Sequence, residues 1–527
     1  MSTGLASRSS TGVDPVRRVP GVWAGLLLAE TRGLLLHPAT VVTVLLALAL
    51  WLIPGVPAFP DVTSTSWEVQ YTLAVVAGGV FVAANLRALR PYRHRTADFE
   101  GVLSLPMGQR TAAALLAPLA PAALALAAGA ARIHVTSLRR GATGTVQIGE
   151  LLTVPAVIVL AGILGHLVAA ASRNTAAGLV ALVVLGIAGL AGMASAPARW
   201  RWFTPVAGED PFAAPPLPAG LVDRPEWWHL AWLLGLAALA AGGALLLAGA
   251  GRVVVPGILV LGVILAGVGG VMQTRPASAE FAAQLAAARD RPSATQVCET
   301  RGAATYCAFP EFRGRIGEWA RIVEAQDALV PGPAARLTVR QHLQVPIGDQ
   351  GFVLPLPAGT WAADDRAAGT PDAIPVSTRW AAGGSGGFAE SEVIGFSAQV
   401  AIRLVTGGPV EAEGPTVCGG RGALIVWLAA TATPDTRAAL RTLQSHTSGG
   451  AGLDLAVLNS RSGLRTGERE TALAMALLDA DQATVRQLVA EQWSELTAPR
   501  TDVDTAAEAL GIGAVSTRLT PGGGICV

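Results

Sequence analysis

The chain of 527 residues contains no lysine, so all 38 of its basic residues are arginine. A Walker A phosphate loop, a Schiff base and a Ser–Lys dyad each need a lysine amine, which excludes a standard P-loop ATPase. Charge is scarce as well. Only 14% of residues are Asp, Glu, Lys or Arg against 51% hydrophobic, and the net charge is +1. No basic cluster interleaved with aromatics stands outside the apolar half, so no nucleic-acid partner is expected. No cysteine precedes Cys298. The sequence lacks a C-x-x-C and an H-E-x-x-H, so no metal site and no cofactor is expected. No apolar run carries a central acidic or basic residue, which disfavours ion-coupled transport, since such groups at membrane depth are costly and functional.

What is present is a division near residue 275. Before it lie apolar runs at 38–54, 69–87, 111–131, 151–171, 175–195, 229–250 and 253–272, each close to the ~20 residues that cross a bilayer. The last two are separated only by Gly249–Arg252, which predicts a helical hairpin or one broken helix. Residues 1–20 read as a retained cytoplasmic tail. Residues 22–36 set Trp23, Leu26, Leu27, Leu34 and Leu35 against Glu30 and Arg32, a pattern for a helix lying in the interface. With the N-terminus inside, eleven arginines fall in the inner segments (8, 17, 18, 32, 87, 90, 93, 95, 110, 173, 252) and six in the outer loops (132, 139, 140, 199, 201, 224). The positive-inside bias therefore places residues 276–527 outside. Asn85 and His166 are the polar residues within the runs, and His166 is expected as a neutral imidazole bonded to a neighbouring helix. The 196–228 segment is aromatic and proline-rich, suited to anchoring at the membrane surface or to a re-entrant cap.

The fold class that follows is an α-helical polytopic membrane protein with six to seven transmembrane helices, then an α+β disulfide-bonded soluble domain. The organisation is 1–20, a membrane region 21–275 and an outer domain 276–527. In the outer part, 276–296 reads as a helical stalk. Cys298 and Cys307 flank Gly302 at a spacing that suits a hairpin closed by a disulfide in an oxidising compartment. Four cysteines allow three pairings, and Cys298–Cys307 with Cys418–Cys526 is the one expected. Alternation through Leu337, Val339, Leu343, Val345 and Ile347 predicts strands, and helical spacing follows in 388–405, 422–432, 435–446, 467–478 and 482–496. Trp319, Trp380, Trp427 and Trp493 are expected to fill the core. Gly383-Gly384-Ser385-Gly386-Gly387 matches G-x-S-x-G, with Asp435 and His446 downstream in triad order. Four glycines around one serine also describe a linker, and Asp435 and His446 are expected on one helix, which does not suit a triad. Ser385 is therefore a weak nucleophile candidate, and a cell-surface serine hydrolase is the least favoured function.

The arrangement of residues 20–250 resembles the permease subunits of type-2 ABC exporters. An interfacial helix at 22–36 precedes the first span. Asp98–Pro106, followed by Arg110, stands where such permeases often carry an E-E-L-L-A-S-L-P-like stretch after the second span, and a long aromatic loop separates spans five and six. The resemblance implies a bacterial plasma-membrane protein that pairs with a second permease subunit, as homo- or heterodimer, and is energised by a separate ABC ATPase subunit. It implies that Glu30, Arg32, Asp98, Phe99 and Glu100 lie near the ATPase contact. A seventh span and an outer domain of about 250 residues depart from the minimal permease. They leave open a membrane-anchored binding or sensing module as the alternative.

Overall fold

The computed structural model describes residues 20–52, 60–96, 105–139, 141–193, 202–206, 218–221, 225–251, 253–332, 335–343, 358–378, 380, 388–408, 416–446, 465–513 and 526. The apolar runs fold into helices. α1 (Pro20–Leu35) is joined at His37 to α2 (Pro38–Leu52), bent from it by 53°. α3 (Val62–Ala88) and the single turn α4 (Arg90–Arg93) follow, then α5 (Met107–Leu116) and α6 (Leu119–Ser137), which together make one long apolar helix broken at Ala117–Pro118. α7 (Ile148–Ser172), α8 (Thr175–Met193), α9 (Glu226–Leu247) and α10 (Val254–Gln273) complete the membrane half. Six of these helices are long and apolar enough to cross a bilayer. At 15 residues, or about 22 Å of rise, α2 is shorter. Its contacts nonetheless run from one face to the other. Its start adjoins α1, whose Glu30 pairs with Arg87 at the end of α3. Its last turn brings Trp51 under Arg132, which pairs with Glu68 near the start of α3. With α1, α2 forms a bent pair that makes a seventh candidate span, and α1 and the 60–62 segment lie at opposite ends of α3.

Small residues let the spans approach closely, as expected where lipid supplies no hydrophobic drive between helices. A Cβ on Gly269 would lie 2.7 Å from the carbonyl oxygen of Trp228, and one on Gly262 would lie 2.9 Å from the Leu239 nitrogen. α9 and α10 thus form the tight antiparallel hairpin that the four-residue Gly249–Arg252 link predicts. α8 is the least enclosed span, with Leu179, Val180, Val183, Ile187 and Leu190 exposed towards the lipid. α3 and α7 begin earlier than hydropathy suggests, at Val62 and Ile148, because Thr63, Ser66 and Glu150 are buried between helices rather than left in loops.

Beyond α10 comes α11 (Ala279–Asp290), capped by Ser278 Oγ accepting from the Phe281 amide at 3.1 Å. β1 (Val297–Arg301) and β2 (Ala304–Ala308) form an antiparallel hairpin in which Cys298 and Cys307 are directly opposite and joined by a disulfide. Gly302 takes φ of 58° at its turn, a conformation glycine adopts without a steric cost. α12 (Ile316–Asp327) precedes β3 (Thr338–His342). After α13 (Ala358–Ala367) comes β4 (Ile374–Ser377), and β2–β3 and β3–β4 are both parallel, giving a mixed sheet in the order β1-β2-β3-β4. One face of the sheet packs Tyr306, Val339, Ile374 and Val376 against Trp319, Trp380 and Phe396. The rest is helical: α14 (Phe388–Thr406), α15 (Gly419–Thr431), α16 (Pro434–His446), α17 (Glu468–Asp479), α18 (Gln482–Glu491), α19 (Trp493–Leu496) and α20 (Val503–Ala509). α15 is buried along most of its length, and Trp427 is fully enclosed, while Trp493 packs partly buried against the same core. Cys418, just before α15, bonds Cys526 and ties down the end of the chain. The predicted strand positions Val345 and Ile347 lie outside the described residues.

Candidate functional site

The face that carries α1 is rich in arginine. Glu30 on α1 accepts from Arg87 Nη2 at 2.7 Å and from Nε at 3.2 Å, a two-pronged pair with the last turn of α3. Gly33 makes room for it, since a Cβ there would collide with the Arg87 guanidinium. Around the pair, Arg32, Arg90, Arg93, Arg95 and Arg173 are exposed. The Arg173 guanidinium sits 5.2 Å over the Tyr92 ring, which fixes the α7–α8 turn against the α3–α4 exit. The surface is thus a fixed frame of cationic groups with a single described acid, Glu30, engaged inside it. Such a surface attracts an acidic partner or anionic headgroups. Asp98, Phe99 and Glu100, the other residues the resemblance points to, lie outside the described residues.

Within the membrane, Asn85 Nδ2 donates to the Gly165 carbonyl at 3.0 Å and holds α3 to α7. His166 is half-buried within electrostatic reach of Glu30. Among the described residues its ring makes no hydrogen bond to a neighbouring helix, contrary to the expectation from sequence. At the opposite end His229 has Nδ1 3.0 Å from the Trp202 carbonyl and 3.1 Å from Gln273 Oε1, which pins the 202–206 segment to α9 and α10. Phe203 meets Trp232 edge-on at 5.7 Å, so this part of the aromatic loop is packed onto the helix ends.

The four-stranded sheet carries a second polar arrangement. On the face opposite its apolar core, β3 presents Arg340 and His342, both buried. Arg340 donates to Gln296 Oε1 and Thr370 Oγ1, each at 3.0 Å, and its Nε lies 3.0 Å from Asp365 Oδ1 as a charge contact without aligned hydrogen-bond geometry. His342 Nε2 is 3.4 Å from Asp365 Oδ2, and its ring stacks on Trp361 at 4.7 Å. Asp364, beside it, accepts from the Ser293 hydroxyl at 2.6 Å. These groups bond mainly to one another, so they lock α13 and the 292–296 turn onto the sheet. Sequence reasoning passed over them. The available signal was the polar run Arg340-Gln341-His342 in a strand that both neighbours cover.

Arg315 is the other buried cation. It ends a 3-10 turn (Pro310–Arg315), is fully enclosed, and donates through Nη1 to the carbonyls of Thr378 and Trp380. Burial pushes its pKa down to about 10, opposed by the negative charge of Asp61 in the membrane half. It therefore stays charged at neutral pH.

Ser385 lies outside the described residues. Asp435 and His446 both belong to α16, as expected, at opposite ends of one helix. Cys418, Cys526 and Glu470 approach one another, with Glu470 accepting from the Gly419 amide at 2.8 Å, but both thiols are consumed by the disulfide. No family model, curated protein or solved structure matches the chain. What stands on its own is a multi-pass membrane protein followed by a disulfide-containing α/β region.

Proposed function

We propose that the chain is the membrane-spanning subunit of an ATP-driven exporter, energised by a separate ATPase that docks on the arginine-rich face at α1 and the loop after α3. One observation carries this reading: a largely apolar helix, α1, bent 53° from α2, is ion-paired through Glu30 to the end of α3, at the end opposite the disulfide domain. A partner that displaces α1 thereby acts on a spanning helix. The lack of lysine supports a nucleotide site on another chain. On this reading the arginine face is cytoplasmic, consistent with the positive-inside bias, and the disulfides sit in an oxidising exterior. The chain itself is not an enzyme and holds no cofactor. Pairing with a second permease copy is part of the same proposal.

Co-expression with any ABC ATPase subunit encoded beside it, followed by purification in mild detergent, tests it. A stable complex whose hydrolysis rises on addition of this chain is expected. Absence of any complex and of any stimulation overturns the proposal.

A membrane-anchored binding module is the second reading, favoured by the size of the outer domain. Deleting 276–527 separates the two. An exporter subunit retains ATPase coupling, whereas an anchor loses all function.

A further inference from the structure

α3 is one uninterrupted helix of 27 residues, about 40 Å long, and each end is fastened to a different part of the protein. At the arginine face its last turn holds Arg87 against Glu30 of α1. At the other face the segment leading into it is stapled to the α6–α7 loop. Val62 donates to the Thr143 carbonyl at 2.8 Å and Thr143 to the Pro60 carbonyl at 3.1 Å. Asp61, only 5% exposed, lies in this staple, and its carbonyl accepts from the Thr65 hydroxyl at 2.8 Å.

The outer domain rests on that same staple. A Cβ on Gly314 would lie 2.8 Å from the Ala142 carbonyl, so the 3-10 turn and the α6–α7 loop touch backbone to backbone. Next to Gly314, Arg315 brings a fully buried guanidinium to the junction, where Asp61 supplies the opposing charge. The same guanidinium reaches the carbonyls of Thr378 and Trp380 just after β4 and lies 5.2 Å from the Phe312 ring. A second contact from the membrane half is Leu221, packed against the cluster of Ala288, Phe309, Phe312 and Leu343.

We infer that α3 is a transmission rod between the two faces, with the Glu30–Arg87 pair as its inner joint and, as its outer joint, the Gly314–Ala142 contact on the 60–62 staple, where Arg315 and Asp61 lie within electrostatic reach, so that displacement of α1 moves the outer sheet domain. The identity of what displaces α1 rests on the exporter reading; the mechanical link does not. Movement enters at the last turn of α3, passes along its axis to the 60–62 staple, and leaves through Arg315 to the end of β4. The inner joint is a two-pronged ion pair and the outer one a backbone-to-backbone approach, so α3 connects the two ends through packed contacts.

The test uses the full chain in lipid nanodiscs without reductant. Spin labels at Leu190→Cys, on α8, and Arg486→Cys, on α18, report the placement of the outer domain by pulsed dipolar spectroscopy. Glu30→Arg is expected to shift the distance distribution, and Glu30→Arg with Arg87→Glu to restore it. In an Asp61→Asn background the shift is lost, and Asp61→Glu keeps it. An unchanged distribution in Glu30→Arg overturns the inference. So does an equal shift with and without the Asp61 charge. A shift that depends on Asp61 in a protein that binds no ATPase leaves the rod standing and removes the exporter reading.

Discussion

Glu30 Oε2 lies 2.7 Å from Arg87 Nη2, which joins α1 to the exit turn of α3, the longest unbroken helix among the described residues. The two residues are 57 apart in sequence, and both side chains are partly exposed. A pair this open contributes at most about 1 kcal/mol to stability. Glu30→Gln is therefore expected to leave the melting temperature in detergent nearly unchanged while weakening attachment of α1. Slower hydrogen exchange in α1 of the wild type than in the variant checks it; equal exchange contradicts it.

The arginine face and the disulfide domain are predicted to lie on opposite sides of the membrane. Cysteine placed at Arg93 is expected to react with a membrane-impermeant maleimide only after permeabilisation. Cysteine placed at Arg139, on the other face, is expected to react in intact cells. The reverse pattern inverts the topology, and equal reactivity of both in intact cells removes it.

The two disulfides differ in what they constrain. Cys418–Cys526 closes a sequence separation of 108 residues and Cys298–Cys307 one of 9. The shorter bridge joins residues already paired across a hairpin. In the chain-entropy model the long loop is worth about 4–5 kcal/mol and the short one about 2–3. Calorimetry of the Cys418→Ser/Cys526→Ser and Cys298→Ser/Cys307→Ser variants is expected to show the larger loss for the first. An equal or opposite order shows that the native contacts of the C-terminal segment, not chain entropy, set the effect.

Asp365 serves both Arg340 and His342 in a buried site. Replacing it with Ala leaves the Arg340 charge without its acid and is expected to cost about 3–5 kcal/mol. Unfolding in denaturant, followed by tryptophan fluorescence, measures this. A loss below about 1 kcal/mol would mean that Gln296 and Thr370 already satisfy the guanidinium.

Acid sensitivity follows from two helix caps. Asp481 accepts from the amide and hydroxyl of Thr484, and Asp502 accepts from the Thr505 amide; these bonds hold both carboxyls below their ordinary range. A lowered native pKa gives stability that is present above the ordinary aspartate pKa and lost as pH falls through the lowered one. Asp481→Ala and Asp502→Ala are expected to lower stability at neutral pH and to flatten its decline on acidification. An unchanged slope of stability against pH contradicts this.

Legibility from sequence followed locality. The crossings could be read because a span is a continuous apolar run, and the Cys298–Cys307 hairpin because its two strands are adjacent with Gly302 between them. The first turns of α3 and α7 were hidden because Thr63, Ser66 and Glu150 look like loop residues until neighbouring helices enclose them. Glu30 stood out as an acid in an apolar helix, yet nothing local identified Arg87 as its partner among so many arginines. Arg315 and Asp61 are 254 positions apart, and the Arg340–His342–Asp365 arrangement exists only once α13 covers the sheet. Charges buried by tertiary packing leave no periodic trace.

The central claim is that this chain is driven through its arginine face by a separate ATPase. ATP hydrolysis by that partner, measured with wild type, Glu30→Arg and Glu30→Arg/Arg87→Glu in the same lipid, tests it most directly. The account predicts stimulation by wild type, loss of most of it in the single reversal, and recovery in the double. Hydrolysis that is indifferent to the presence of the chain, or to the reversal at Glu30, contradicts it.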